Sequence, residues 1–307
     1  MANLKELSKQ KCKICSGHRM CPGCGAAINA RMFLMATHKP IVVAAATGCI
    51  EVSTTVYPYT SWNVPWIHNA FENAAATISG VEAAYNVLKK KGKVKNEIKF
   101  IVFGGDGGTY DIGLQSLSGA VERGHDFLYV CYNNEAYMNT GIQRSSATPF
   151  GADTKTDPFG LKRKGKQEFS KDLTRIMVAH NIPYAAQTSV SHWNDLIEKA
   201  KKAFEIKGPK FINSLSPCIP GWGIAENDSL KVARLAVETC FWPLYEVENG
   251  KYRITYDPGD KKKPVEEFLK TQKRFAHLLR PENKNIIIKI QENIDKSWEY
   301  LKKLEKI

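Results

Sequence analysis

The chain alternates between short, continuous apolar runs and longer stretches in which apolar residues recur with the period of a helix. A continuous apolar run of strand length is typical of a parallel strand that is buried on both faces of a sheet. The runs predict strands at residues 41–46, 98–103, 127–132, 183–187 and 210–215. Helical patterns precede or separate them at residues 25–38, 71–91, 109–123, 170–180 and 191–206. This alternation predicts an α/β fold with a mostly parallel sheet and helices on both faces.

The C-terminal part of the chain departs from the alternation. Two short strand patterns there flank Asn249-Gly250, a dipeptide that indicates a tight hairpin because it accepts the positive φ that such turns need. The elements predicted in this part are strands at 244–247 and 253–256 and helices at 265–278 and 284–304. We therefore expect three regions: a cysteine-bearing segment at residues 1–24, the α/β domain at 25–242, and a small hairpin with a helical extension at 243–307.

Residues 135–168 follow neither period and contain several glycines and prolines. A stretch of this length without secondary structure inside a compact domain usually has a function. We therefore expect this segment to contribute to a binding site.

The apolar runs and the first residues argue against a membrane-spanning protein and a secreted protein. The longest apolar run, residues 41–46, is far shorter than the roughly 18–20 residues of a membrane helix. The first residues lack the apolar core of a secretory signal, so we expect a cytoplasmic protein. The formal net charge is +13, but its basic clusters are dispersed and no nucleic-acid-binding motif is present. We interpret the surplus charge as solvated faces and contacts with partner subunits or an acidic protein.

Two of the predicted strands end in residues that suit a Mg²⁺–diphosphate site. One strand runs into the glycine-rich segment at 104–108, which contains Asp106, and another runs into Asn133-Asn134. Glycine lets the backbone approach a ligand closely, and the oxygens of Asp106 and Asn134 suit Mg²⁺ beside phosphates. Adjacent parallel strands present their carboxyl ends at one sheet edge, where such sites occur. Ordinary turns use the same residue types, but the pairing of two such turns favours a cofactor.

Four of the eight cysteines suit an iron–sulfur cluster. Cys21 and Cys24 form a Cys-x-x-Cys pair, whose spacing lets two thiolates bind one metal or cluster. Cys49 and Cys218 each follow a predicted strand, so we expect both at the sheet edge that carries Asp106. Two cysteines at this edge and a nearby pair supply the four thiolates that a [4Fe–4S] cluster requires. In the reducing compartment that we expect, the thiols are not consumed by disulfides.

A second Cys-x-x-Cys pair leaves an alternative open. Cys12 and Cys15, together with Cys21 and Cys24, would supply a four-thiolate zinc site. The five residues between the pairs are few beside the roughly 12–20 of known zinc-binding spacings. A zinc-containing nucleic-acid-binding protein is therefore a distant alternative, which predicts zinc without iron. The last two cysteines are predicted to be small buried hydrophobes: Cys131 and Cys240.

Seven stretches, in order over nearly the whole chain, carry a resemblance to a known family: residues 17–25, 46–49, 65–75, 105–113, 134–143, 217–218 and 242–245. On these residues the chain resembles the β subunits of the 2-oxoacid:ferredoxin oxidoreductases. The resemblance is greatest to the pyruvate:ferredoxin oxidoreductases (pyruvate synthases), and the oxalate oxidoreductase β subunit is a close relative. It implies the thiamine diphosphate-binding fold of the diphosphate-binding type.

The resemblance also implies the cofactors and their ligands. The cofactors are thiamine diphosphate, Mg²⁺ and a [4Fe–4S] cluster. The implied cluster ligands are Cys21, Cys24, Cys49 and Cys218. The implied Mg²⁺ ligands are Asp106, Asn134 and the main-chain carbonyl of Ala136. The residues implied to line thiamine diphosphate are Thr47, Gly48, Cys49, Gly105, Gly107 and Gly108, with Asn139 and Thr140 at its catalytic, reacting end. Cys12 and Cys15 depart from the family pattern and receive no role.

The implied reaction is the oxidative decarboxylation of a 2-oxoacid, pyruvate by preference, with electrons passed to ferredoxin and the acyl group to coenzyme A. The chain would be active only with partner subunits, a pyrimidine-binding subunit and a ferredoxin-like one, since it contains a single unit of the diphosphate-binding type. Oxalate or a branched-chain or aromatic oxoacid is an alternative substrate, because we expect the partner subunit to set specificity. A non-redox thiamine-dependent decarboxylase or synthase is a further alternative, which would need no cysteine set.

Overall fold

The structure, a computed structural model, describes residues 3–307. Within this range the strands form one sheet in the spatial order β2-β1-β3-β4-β6-β5-β7-β8. The strands are β1 (Ile41–Ala46), β2 (Trp66–Asn69), β3 (Lys99–Gly105), β4 (Leu128–Asn133), β5 (Tyr184–Ser189), β6 (Lys210–Leu215), β7 (Leu244–Glu248) and β8 (Lys251–Tyr256). Strands β1 to β6 pair in parallel, and the β7–β8 hairpin continues the same sheet through an antiparallel pairing of β7 with β5.

The α-helices of the described chain mostly connect the parallel strands or follow the hairpin. They are α1 (Leu4–Leu7), α2 (Gly25–Met35), α3 (Cys49–Thr54), α4 (Ala74–Lys90), α5 (Leu114–Glu122), α6 (Leu173–Val178), α7 (Trp193–Glu205), α8 (Ile219–Trp222), α9 (Ser229–Glu238), α10 (Glu266–Leu269) and α11 (Lys284–Glu305). A π-helical turn at Gly107–Ile112 precedes α5. Short 3-10 turns occupy Glu226–Asp228, Gly259–Lys261, Lys273–Leu279 and Pro281–Asn283. None of the helices in residues 3–307 combines the length and the apolarity that crossing a bilayer requires.

Helices cover both faces of the sheet, which confirms the predicted α/β fold. Side chains alternate along each strand, so that Ile101 and Val130 face α2 and α7, whereas Val102 and Cys131 face α4, α5 and α6. Burial of both faces explains why these strands are continuously apolar. Cys131 is fully buried in this packing, as the sequence predicted.

The hairpin and the C-terminal helices enclose a third hydrophobic core. Trp222, Phe268 and Phe275 lie at its centre, and α11 covers it with Trp298. The hairpin belongs to the main sheet, so the C-terminal region is joined to the α/β unit through backbone pairing as well as through side chains. Cys240, predicted to be buried in a helical pattern, is buried but follows the end of α9.

Some predicted elements have different boundaries in the structure. The predicted helix at 109–123 begins as a π-helical turn, and the predicted helix at 265–278 is divided into α10 and a 3-10 turn. At this division the side chains of Thr271 and Gln272 both donate to the carbonyl of Phe268 and so compete with the helical backbone bonds. Strand β2 and helix α3, which the sequence did not predict, are short and carry polar residues.

Candidate cofactor-binding site

The sheet topology brings the predicted site residues to one edge. Strands β1, β3, β4 and β6 are parallel neighbours, and their carboxyl ends lie side by side. The register pairs Gly105 of β3 with Tyr132 of β4, so Asp106 and Asn134 follow adjacent strand ends. Cys49 and Cys218 begin or precede the helices after β1 and β6 at the same edge. Two cavities open between these strand ends.

The first cavity, which we call the glycine cavity, has a volume of about 30 Å³. Its lining contains Thr47, Gly48, Cys49, Gly105, Gly107, Gly108, Asn134, Ala136, Asn139 and Thr140. A Cβ on Gly107 would lie 2.4 Å from the ring of Tyr137, and one on Gly48 would lie 2.6 Å from Tyr132 Oη. Any larger residue would displace these walls, so the glycines give a ligand direct access to the backbone. Every residue for which the sequence implied a thiamine diphosphate contact thus lies around one cavity.

Asp106 lies between the cavity-lining residues Gly105 and Gly107 in the chain and is completely buried. Its carboxylate accepts hydrogen bonds from Ser145 Oγ at 2.5 Å and from the backbone N–H of Asn134 at 3.2 Å. Burial raises the pKa of Asp106 to about 7, and the Ser145 hydrogen bond acts in the opposite direction. A buried carboxylate with this little compensation is expected to need a cation nearby.

The geometry around the Asn134 side chain fits such a cation. One atom of its amide lies 2.9 Å from both Asp106 Oδ1 and the carbonyl oxygen of Ala136. With nitrogen in this position, Asn134 donates to both oxygens; with oxygen in this position, three oxygens converge and repel one another unless a cation lies between them. Octahedral Mg²⁺ with oxygens at about 2.1 Å separates neighbouring ligands by about 3 Å. The three residues therefore fit a Mg²⁺ ion when the amide oxygen faces inward.

The second cavity, which we call the cysteine cavity, has a volume of about 160 Å³. Cys21, Cys24, Cys49 and Cys218 all contribute to its lining. Burial raises the pKa of Cys49 and of Cys218 to about 12, with further contributions from the neighbouring thiols. Buried thiols with pKa values raised in this way are expected to be stabilised as thiolates by a metal centre.

The four thiols are spaced more widely than the ligands of a single metal ion. Among residues 3–307, no three His, Cys, Asp or Glu side chains come close enough together to hold one metal ion. The four thiols instead surround a cavity, as ligands of a cluster with its own inorganic core would. Cys12 and Cys15 do not line this cavity; they lie near the surface, where Cys15 pairs through its backbone with Ser61. This arrangement argues against the four-thiolate zinc site that the spacing alone left open.

The two cavities share a wall. Cys49, Asn134, Met138 and Asn139 line both of them. Backbone hydrogen bonds between Tyr137 and Gln143 close the loop that carries Asn139 and Thr140. Asn139 and Thr140 are exposed at the mouth of the glycine cavity. Ligands in the two cavities would therefore be immediate neighbours, with Asn139 beside both.

A buried ion pair that the sequence did not predict supports the loop with the candidate Mg²⁺ ligands. Arg274 donates to the carboxylate of Glu135 at 2.5 Å, and both side chains are almost inaccessible. The Arg274 guanidinium also stacks on Trp222 at 4.1 Å, and Trp222 Nε1 donates to the carbonyl of Asn134 at 2.8 Å. Glu135 itself has a φ of 68°, which an ion pair can help to maintain. The C-terminal region thus fixes the position of Asn134.

The aperiodic segment at 135–168 supplies a second support, which we call the Ser145 turn (Ser145 to Thr148). Thr148 Oγ1 donates to the carbonyl of Glu135, and Ser145 Oγ donates to Asp106. The ammonium group of Lys166, buried beneath the turn, donates to the carbonyl of Thr148 at 2.6 Å. The segment thus contacts the candidate Mg²⁺ ligand Asp106, and its expected contribution to a binding site stays a prediction.

Comparison with known proteins identifies a matching family model and relatives of high sequence identity. Residues 46–214 match the family model of the thiamine pyrophosphate enzyme, C-terminal TPP binding domain. The chain is 53% identical to pyruvate synthase subunit PorB of Thermotoga maritima, over 99% of this chain and 95% of that protein. It is 56% identical to pyruvate synthase subunit PorB of Methanocaldococcus jannaschii, over 93% and 95%, respectively. It is 44% identical to ketoisovalerate oxidoreductase subunit VorB of Pyrococcus abyssi, over 95% and 93%.

One solved structure supports the fold. The 2-oxoglutarate:ferredoxin oxidoreductase from Magnetococcus marinus, solved with 2-oxoglutarate, coenzyme A and succinyl-CoA bound, superposes with a TM-score of 0.55. The match covers 72% of this chain and 79% of that chain at 19% sequence identity. At this identity the likeness establishes a shared architecture.

Proposed function

The chain belongs to the family of pyruvate synthase subunit PorB, the β subunits of the 2-oxoacid:ferredoxin oxidoreductases, and from this premise we propose that it holds thiamine diphosphate, Mg²⁺ and a [4Fe–4S] cluster at one sheet edge and works on pyruvate. It is a subunit of an oxidoreductase that depends on thiamine diphosphate and acts in a multi-subunit complex. The observation that carries the proposal is the shared wall between the glycine cavity and the cysteine cavity.

The glycine cavity is the proposed site of the diphosphate and its metal. Asp106, Asn134 and the carbonyl of Ala136 would hold Mg²⁺, and their 2.9 Å spacings support this assignment. Thr47, Gly48, Gly105, Gly107 and Gly108 would contact the cofactor through the backbone or a small side chain. The burial of Asp106 supports the proposal further, because the cation would compensate a carboxylate that otherwise has few partners.

The cysteine cavity is the proposed site of the cluster, with Cys21, Cys24, Cys49 and Cys218 as ligands. When bound, the thiamine cofactor supplies the electron sink for cleavage next to a carbonyl group, and the cluster accepts electrons one at a time. The chain's own contribution is placement: Cys49 lies in the wall common to both cavities, and Asn139 and Thr140 lie at the mouth where a substrate would enter. Because the same side chains line both cavities, thiamine diphosphate and the cluster would be close enough for electron transfer between them.

The partners follow from what this chain leaves open. We propose that a pyrimidine-binding subunit covers the mouth of the glycine cavity, where Asn139 and Thr140 are exposed, and that a ferredoxin-like subunit and ferredoxin receive the electrons. The acyl group would pass to coenzyme A. We propose a cytoplasmic location on the basis of the sequence. The net charge of +13 suits an acidic electron acceptor.

Pyruvate is favoured because pyruvate synthase relatives are 46–56% identical to the chain, whereas the ketoisovalerate relative is 44% identical. The test is an anaerobic assay of the complex purified with its partner subunits, with ferredoxin as acceptor and with pyruvate, 2-oxoisovalerate, oxalate and 2-oxoglutarate as substrates. We expect the highest kcat/KM with pyruvate and no turnover by this chain alone. Turnover without partner subunits, or a clear preference for another substrate, would contradict the proposal.

A further inference from the structure

The phenol of Tyr132 is a buried hydrogen-bond donor without a partner. Tyr132 lies on β4 with 1% of its surface exposed, and its side chain lines the glycine cavity. Its hydroxyl donates no hydrogen bond to any of the described residues 3–307. Buried hydroxyl groups in proteins are nearly always hydrogen-bonded. The orphaned hydroxyl therefore indicates a partner that the chain acquires when its cofactors are bound.

The position of the hydroxyl identifies the segment that it faces. A Cβ on Gly48 would lie 2.6 Å from Tyr132 Oη, and one on Gly105 would lie 3.3 Å away. The hydroxyl is therefore packed against the backbone of Gly48, the residue directly before Cys49. Tyr132 also packs in the same core cluster as Ile50, the residue directly after Cys49, and Cys24 packs against this cluster. The phenol thus lies beside both chain neighbours of the proposed cluster ligand Cys49.

We propose that Tyr132 donates a hydrogen bond to the Cys49 thiolate when the cluster is bound, and that this bond raises the reduction potential of the cluster. The inference rests on the proposed function, since it requires the cluster at Cys49. Hydrogen bonds to cluster sulfurs favour the reduced state, which carries one more negative charge, and they are among the factors that set cluster potentials. Tyr132 is then a positioning residue for electron transfer and takes no part in bond making.

A matched pair of variants tests this role. Tyr132→Phe removes only the hydroxyl, and Tyr129→Phe is its control on the opposite face of the same strand. The Tyr129 hydroxyl already has a partner, Thr109 Oγ1 at 3.1 Å, and its side chain does not line the cysteine cavity. Both changes remove one buried oxygen from β4, so they share any general effect on packing.

The measurement is a redox titration followed by electron paramagnetic resonance on the full chain, with its cluster reconstituted anaerobically and without thiamine diphosphate. We expect Tyr132→Phe to lower the midpoint potential by about 60 mV, which is a tenfold change in the one-electron reduction equilibrium. The control variant is expected to match the wild type.

Equal potentials in wild type and Tyr132→Phe would overturn the inference while leaving the cluster proposal intact. A shift that occurs only after thiamine diphosphate is added would also overturn it, because the donor would then serve that cofactor. A wild-type chain that binds no iron would overturn both proposals.

A second measurement needs no variant and so covers the case in which Tyr132→Phe does not fold. Pulsed resonance on the reduced wild-type cluster, with tyrosine labelled with ¹⁷O at the phenol oxygen incorporated, is expected to show the ¹⁷O coupling of a hydroxyl that is hydrogen-bonded to a cluster sulfur. The absence of this coupling would overturn the inference.

Discussion

Removal of the buried charge of Arg274 gives the sharpest prediction for the support of the loop that carries the proposed Mg²⁺ ligands Asn134 and Ala136. In Arg274→Met the length of the side chain is retained, but Glu135 is left as a buried carboxylate without its ion-pair partner, and only the weaker attraction of Lys166 remains. The two side chains are 4% and 2% exposed, so solvent does not compensate. Breaking such a pair costs about 3–5 kcal/mol. Loss of the guanidinium stacked on Trp222 adds about 1 kcal/mol.

The expected loss of about 4–6 kcal/mol is measurable by urea denaturation followed by circular dichroism, since it is a large part of the 5–15 kcal/mol that stabilises an ordinary domain. Glu135→Gln in the same chain is the matched partner change, because it removes the charge that Arg274 neutralises. The double variant is expected to recover at least half of the loss. A cost below about 1 kcal/mol for Arg274→Met, or a double variant no more stable than the single one, would refute the reasoning.

The pH dependence of this loss has a definite sign. Burial raises the pKa of Glu135, and Arg274 counteracts the rise. Without Arg274 the folded chain binds a proton at Glu135 more tightly than the unfolded chain does, so folding is favoured as the pH falls. The difference in stability between wild type and Arg274→Met is therefore expected to be greatest at alkaline pH and to shrink toward pH 5.

Three further predictions concern the same edge. Ser145→Ala removes the hydrogen bond to Asp106 and is expected to weaken Mg²⁺–thiamine diphosphate binding about 10–100-fold in calorimetric titration, with Ser146→Ala as control; equal affinities would contradict the role of the Ser145 turn. Gly107→Ala, whose Cβ would meet the Tyr137 ring, is expected to abolish that binding, whereas Gly92→Ala on the surface retains it. Burial lowers the pKa of Lys166 to about 8 from 10.5, so its proton is lost first from the folded chain and stability rises with pH between these values. Between pH 8 and 9.5 we expect the free energy of unfolding of Lys166→Met, measured by urea denaturation, to rise by about 1.5 kcal/mol less than that of the wild type. An unchanged pH profile would contradict this expectation.

Much of the candidate site could be predicted because its residues follow strands. The apolar runs at residues 41–46 and 210–215 coincide with β1 and β6, and parallel pairing then determines that the residues after them share an edge. For this reason Asp106, Asn134 and Cys218 could be placed together although they are distant in sequence. Short edge elements such as β2 escaped prediction, because four half-polar residues carry too little periodicity.

The supporting residues could not be predicted from local patterns. Arg274 and Glu135 are 139 positions apart, and neither stands in a motif. Lys166 lies in the aperiodic segment, where its burial depends on how the Ser145 turn folds over it. Such contacts arise from tertiary packing, which hydrophobic periodicity does not encode. The opposite holds for Cys12 and Cys15. They form a clear Cys-x-x-Cys motif in the sequence, but they do not line the cysteine cavity in the fold.

The metal content of the purified full chain tests the central proposal most directly. After anaerobic reconstitution we predict about four iron atoms and four sulfides per chain. Cys49→Ser should abolish iron binding, whereas the double change Cys12→Ser and Cys15→Ser should leave it unchanged. The same chain should bind thiamine diphosphate only with a divalent cation, and Asp106→Asn should lose that binding. Zinc in place of iron, or loss of iron in the Cys12 and Cys15 variant, would contradict the assignment of the two cavities.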